Sequence, residues 1–252
     1  MRGFIEIAYE DTQISLIEDS GIDGSWENIL YDSEEDLLVL SGFQETNQDG
    51  FGDLRLGCID LTSTPYAITE QDDWGDDDYM FLEGPLLQID DGLYIYIGNG
   101  AYEDENEVMH WGIGVTFWSW DSHLSPSLAL EDSEIYTSDD EFDGYKNVSA
   151  IGAAFDNTVD PEKLIVILEA VTDDNSEDYY IFIAEIPIDP VNMTLGSLTI
   201  ASRLEVIPES GYKVSARDFF FSSINPVEGV GGGAADYSAT SQKFWIFRIE
   251  DD

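Results

Sequence analysis

The stretch ETNQDGFGDL, residues 45–54, alternates oxygen-bearing side chains with turn-forming residues. Glu45, Asn47, Asp49 and Asp53 supply the oxygens, and Gly50 stands where a sharp turn is needed. Hard cations such as Ca2+ and Mg2+ are held by oxygen sets of this kind. An EF-hand is excluded, because the twelfth place from Glu45 is Leu56. These four residues are the candidate metal ligands, and no other cofactor is required. The competing reading is a solvated acidic turn, since GNGAYEDENEV (98–108) and TDDNSED (172–178) occupy corresponding places without the spacing.

A second group of residues points to binding. Trp26, Tyr79, Tyr145 and Tyr212 each open a segment that runs into small or apolar residues, and Trp74 lies in the acidic stretch QDDWGDDDYM. Aromatic faces beside carboxylates suit sugar recognition, in which apolar C–H faces stack and hydroxyls find polar partners. The alternative is that these rings are packing wedges. Lys146, Lys213 and Arg217 fall in the same opening segments, in a chain with only 9 Lys and Arg. They make a candidate cationic spot for an anionic group such as a uronate or a sulfated glycan, against the plainer reading of pairing with nearby acids.

Catalytic ingredients are sparse. His110 and His123 are the two histidines, and neither belongs to an HxxxH or HExxH pattern. No GxSxG, P-loop or GxGxxG fingerprint occurs, and GVGGGAAD (229–236) reads as a flexible loop. With 54 Asp and Glu, two carboxylates at a spacing suited to glycoside hydrolysis carry little information. No catalytic residue is assigned, and the expectation is a protein that is not an enzyme.

The elements that must position these residues are strands. Runs such as LLVLSGF (37–43), LYIYIG (93–98), LIVILEAV (164–171), YYIFIAEI (179–186) and FWIFRIE (244–250) are short, apolar and bounded by Asp, Gly, Asn and Pro. No segment carries a helical stripe. Segments 26–71, 79–132 and 145–202 each read as four strands: an aromatic-led strand, a strongly apolar one, a third after an acidic hairpin, and a fourth after a Ser/Pro bend. In the fourth unit, 212–252, KFWIFRIE is read as the second and last strand, with residues 1–20 supplying the remainder. Lys163 and Lys243 then fall at equivalent places. The expected fold is all-β: a single four-bladed β-propeller domain over 1–252, four antiparallel strands per blade, closed by the N-terminal strands. A β-sandwich is the alternative. Closure of that kind removes open sheet edges.

Composition bounds the setting. Fifty-four acids against nine cations give a formal net charge of −45, and the acids are spread along the chain. Such self-repulsion disfavours a compact state at low salt, whereas a Debye length of about 3 Å at 1 M salt suppresses it. In its acidic surface, scarce Lys and single cysteine, Cys58, the chain resembles haloarchaeal proteins. Nucleic-acid binding is disfavoured for want of Lys and Arg clusters. The opening MRGFIEIAYED has no apolar signal-type region, and no run is long enough to span a bilayer. The expected location is cytoplasmic on synthesis, without membrane insertion.

The resemblances add to this. The metal stretch is similar to the D-x-N-x-D-G-x-x-D calcium loops of integrin-type propeller repeats and thrombospondin type 3 repeats, with Glu45 in the first place. The whole chain looks like a propeller with a composite closing blade. Five-bladed furanosidase-type glycosidases carry acids at the starts of their innermost strands, where this chain has Glu27 and Glu83 but also Lys146, Asn147 and Lys213, so their acid set is not matched. The functional expectation is a non-enzymatic interaction module of a halophilic system, such as a virion tail, fibre or capsid-surface protein used in host attachment. Its expected partners are other protein subunits in an oligomer, or a surface glycan. A glycoside-acting enzyme using axis-facing carboxylates is the alternative.

Overall fold

The computed structural model describes residues 8–9, 12–13, 24–45, 52–62, 68, 70–75, 80–82, 84–103, 109–121, 127–137, 141–172, 178–206, 213–221, 229–238 and 241–249. Among them every regular element is a strand. A short hairpin, β1 (Ala8–Tyr9) with β2 (Thr12–Gln13), comes first. β3 (Gly24–Asp32), β4 (Leu37–Glu45), β5 (Gly52–Asp60) and β6 (Glu70–Trp74) form a four-stranded sheet in chain order. The next sheet contains β7 (Met80–Leu82), β8 (Leu86–Asp90), β9 (Leu93–Glu103), β10 (Met109–Asp121) and β11 (Ser127–Thr137), with β7 and β8 both paired to β9.

A third sheet is built from β12 (Tyr145–Asp156), β13 (Lys163–Thr172), β14 (Tyr179–Asp189), β15 (Thr194–Leu195) and β16 (Thr199–Val206), the last two both on β14. β17 (Lys213–Phe221), β18 (Gly229–Ser238) and β19 (Ser241–Ile249) make the fourth. The chain divides into two compact units, Met1–Gly98 with Val115–Ser133, and Asn99–Gly114 with Glu134–Asp252. Strands β9, β10 and β11 contribute to both.

Burial follows position within each sheet. Residues 37–42, 54–59, 94–98, 112–118 and 164–168 are buried without alternation, so the middle strands are covered on both faces and read as continuous apolar runs. Two flanking strands behave differently: β12 is buried at every second position along most of its length, and residues 199–205 of β16 are exposed throughout. Strands β3, β8, β12 and β17 each carry a register shift of the bulge kind. An extra residue there adds twist, which the apolar pattern cannot announce.

Within the first unit, side chains of one sheet reach the next. Tyr96 Oη donates to the Gly42 carbonyl at 3.0 Å, and Asn28 Nδ2 donates to the Gly84 carbonyl at 3.0 Å. Asp32 is fully buried: its Oδ1 accepts from the Glu34 and Glu35 amides at 3.1 and 3.2 Å, and its Oδ2 from Tyr94 Oη at 2.7 Å and the Gly92 amide at 3.2 Å. Four donors on one carboxylate are what a buried charge requires. In the second unit Asn99 makes a two-way bond with Ala150, accepting from its amide at 2.6 Å and donating to its carbonyl at 3.4 Å.

GVGGGAAD is not a loop but most of strand β18, hydrogen-bonded to β17 on one side and β19 on the other. KFWIFRI (243–249) therefore lies in the third strand of its sheet, not the second, and Lys243 in β19 is not equivalent to Lys163, which opens β13. In the first sheet the fourth strand is described at Glu70–Trp74 and overlaps the expected 66–71 at its end, residues 66, 67 and 69 lying outside the described residues. The described part of residues 1–20 forms its own hairpin, β1–β2.

Candidate functional site

The acidic stretch that opens the sequence reading is a hairpin connection. Glu45 at the end of β4 pairs with Gly52 at the start of β5, which brackets residues 46–51. Asn47 and Asp49 lie outside the described residues, as do Tyr79, Tyr212, Glu83 and His123. Asp53 sits near Asp73, and no group of three His, Cys, Asp or Glu among the described residues is placed to hold a metal ion. Lys213 and Arg217 are described as backbone positions of β17, with Arg217 at the bulge between Ala216 and Asp218. His110 is the second residue of β10 and is half-buried.

Trp26 and Trp74 belong to the first unit. Trp26, Gly42, Arg55 and Asp73 stand in register across the four strands of the first sheet, so all four positions share one face. Gly42 has no side chain, which leaves the Arg55 guanidinium a path across β4 to lie 4.3 Å from the Trp26 ring centroid. Arg55 is buried at 2% exposure, and its Nη2 donates to Gln71 Oε1 at 2.5 Å. Burial pushes the Asp73 carboxyl up, Asp53 and Asp72 push the same way, and Arg55 opposes them without prevailing. Trp74 packs on Phe81 with ring centroids 5.3 Å apart.

A Cβ added at Gly57 would come within 2.7 Å of Trp26 Cη2. The indole is rigid and held by Arg55 on one face, so it has little room to give. Gly57→Ala is expected to destabilise the first unit by about 1–3 kcal/mol, read as a lowered denaturation midpoint with an unchanged slope. An unchanged midpoint would mean that Trp26 is not wedged there.

Tyr145 and Lys146 belong to the second unit, and here an aromatic cluster forms that the spacing alone did not show. Tyr145 opens β12, and the bulge after Lys146 is turned by Asn147, which adopts a positive φ of 53°. Asn tolerates that left-handed conformation better than most residues. Tyr180 and Phe182, two apart on β14, share a face and stack at 6.2 Å with an interplanar angle of 8°. The Tyr145 ring meets both edge-on, 5.5 Å from Tyr180 and 4.9 Å from Phe182.

On the neighbouring strand Arg203 is in register with Phe182 and Glu205 with Tyr180, so both charges border the aromatic cluster. Arg203 Nη1 donates to Tyr145 Oη at 3.2 Å. Phe182 is buried, Tyr145, Lys146 and Tyr180 are half-buried, and Arg203 and Glu205 are exposed. Partial burial pushes the Tyr180 hydroxyl up, and Glu205, Tyr145 and Asp178 add to this against Arg203. The hydroxyl thus stays protonated and able to donate throughout the neutral range.

No protein-family model, no curated protein and no solved structure matches the chain. Of the binding residues expected from sequence, Tyr145 lies in this cluster and Lys146 follows it along β12; Trp26 and Trp74 lie in the other unit. Tyr180, Phe182, Arg203 and Glu205 were not among the expected residues. The signal for them was the aromatic i, i+2 spacing in YYIF and the rarity of any arginine in this chain.

Proposed function

We propose that the protein is a non-enzymatic binding module of a halophilic system, and that its ligand is a surface glycan taken up at Tyr145, Tyr180 and Arg203. The observation that carries this reading is the cluster itself: two half-buried tyrosines, one ring edge to the other, bordered by an exposed guanidinium and an exposed carboxylate. Ring surface accepts the C–H face of a sugar, Arg203 suits a carboxylate or sulfate, and Glu205 suits hydroxyls. Host-surface attachment by a virion protein is the setting we propose for such a module.

The architecture we propose is the four-bladed propeller. It is supported by four sheets that follow the chain, each built from neighbouring strands, and by contacts between successive sheets within each unit: β3 with β8 in the first, β12 with β17 in the second. Contacts between successive sheets of this kind are what radial repetition of sheets produces.

Titration with uronate-containing and neutral oligosaccharides in multimolar KCl, followed by tyrosine-region NMR or calorimetry, tests the glycan reading. Tyr180→Ala is expected to weaken binding by about tenfold or more, and Arg203→Gln to weaken acidic sugars more than neutral ones. Glu27→Gln, at the bulge of β3, is expected to leave binding unchanged. Turnover of any glycan that falls by orders of magnitude in Glu27→Gln would establish a glycosidase instead.

A further inference from the structure

The segment 190–204, PVNMTLGSLTIASRL, is the longest run without Asp or Glu in a chain that has 54 of them. The next longest, 108–120 and 237–249, coincide with β10, whose middle is buried, and with β19. The run 190–204 is mostly exposed instead. It holds Val191 at 88% exposure, Leu204 at 49% and Ile200 at 37%, three of the seven large hydrophobics exposed among the described residues. Its second half is β16, an edge whose described partner is β14 alone.

An acidic surface that keeps a chain soluble in concentrated salt is a surface that another acidic chain avoids. Where acids are withheld from exposed positions, and apolar side chains and an arginine are put in their place, close approach is being permitted. Exposed Ile29 and Tyr31 are unlike this, since they lie between Glu27 and the run Glu34, Glu35, Asp36. The sequence of β16 also fits itself. In an antiparallel pair of two β16 strands centred on Leu204, Arg203 of each copy stands opposite Glu205 of the other, twice by symmetry. Opposite charges directly across a strand pair stabilise it, and like charges destabilise it.

We infer that two copies of this chain associate through β16, antiparallel, with Leu204 on the two-fold axis. The occupant of this edge is a second copy because it is self-complementary in charge, whereas a protein with an ordinary mixture of charges would be drawn to the acidic remainder of the surface. Association is isologous, as a two-fold contact must be. It covers an edge that otherwise invites uncontrolled strand addition. The contact uses Arg203 and Glu205, the same charges the glycan reading engages, so association is measured without sugar and an acidic oligosaccharide is expected to compete with it.

Light scattering and sedimentation over a range of protein concentrations in multimolar KCl test it. The native chain is expected to be a dimer in equilibrium with monomer. Arg203→Glu alone is expected to weaken the dimer about tenfold or more, because both charge pairs become repulsive. Arg203→Glu combined with Glu205→Arg is expected to restore it, and Leu204→Asp to weaken it again. A thermal transition matched to the native chain serves as the folding control. Because Arg203 and Glu205 are exposed, the charge exchange remains decisive if Leu204→Asp unfolds. A monomer at every concentration, a dimer indifferent to Arg203→Glu, or a loss that the exchange does not restore would each overturn the inference.

Discussion

Asp32→Ala is expected to lower the stability of the first unit by roughly 2–5 kcal/mol, a large share of the 5–15 kcal/mol typical of a folded domain. The carboxylate is fully buried and takes four hydrogen bonds, and its removal strands two donors that are themselves buried, Tyr94 Oη and the Gly92 amide. Tyr94→Phe removes one of the four and leaves the three amide contacts, so its cost should be smaller, about 1–2 kcal/mol. Denaturant titration at high salt measures both. Equal costs for the two variants would contradict the shared network.

The same carboxylate has a pH signature. Burial pushes Asp32 up, but hydrogen bonds from Tyr94 and from the Gly92, Glu35 and Glu34 amides outweigh it and hold the carboxyl below its ordinary value of 3.8. A group whose pKa is depressed by folding contributes stability that is present above the unfolded value and is lost as pH falls through the folded one. Asp32 therefore stabilises the native chain above about pH 4, and that share disappears on further acidification. In Asp32→Asn the acid slope should be shallower than in the native protein. Tyr94 shifts the opposite way: burial first, then its bond to Asp32 and the charge of that carboxylate, push its hydroxyl far above the normal range, so it remains a donor at any working pH.

Lowering salt is expected to have the other large effect. A net charge of −45 on 252 residues repels itself over the whole surface. At about 1 M salt the Debye length is near 3 Å and only neighbours interact, whereas at about 0.1 M it is near 10 Å and each charge meets many others. Dilution from multimolar to about 0.1 M KCl is expected to cost several kcal/mol and to abolish the cooperative transition followed by tryptophan fluorescence. Acidification from neutral pH toward the sequence pI of about 4.1 should restore part of that loss by discharging the surface, until Asp32 is protonated in turn. The two effects have opposite signs, so stability at low salt should pass through a maximum in the acid range. A transition that is the same at both salt concentrations would show that the acids serve something other than salt adaptation.

The strands were legible because their signals are local. LLVLSGF, LYIYIG, LIVILEAV and YYIFIAEI each fall within a strand, and their hairpin order follows from the Asp and Gly turns between them. GVGGGAAD was not legible, because glycine supplies no side-chain pattern. In the fold it lies between β17 and β19, with Gly231 in register between Phe219 and Phe247, and the ladders on both sides override its weak intrinsic preference. The bulges were equally hidden, since one extra residue shifts a register without changing an apolar run.

For the binding residues the division is similar. Aromatic segment starts singled out Tyr145 and Lys146 from the sequence, and acidity with Gly50 singled out the hairpin between β4 and β5. Residue types, strand periodicity, the charge balance and the missing catalytic patterns were all determined by the sequence itself, because each depends on neighbours along the chain. The encounter of Tyr145 with Tyr180, Phe182 and Arg203 was decided only by tertiary structure, because it needs three separate strand registers to agree. So was the pairing of Arg55 with Trp26, which depends on a glycine in the strand between them. The hairpin at 45–54 was legible as a turn; which side chains can act together is a property of the sheet, where partners are set by register across strands and not by distance along the chain.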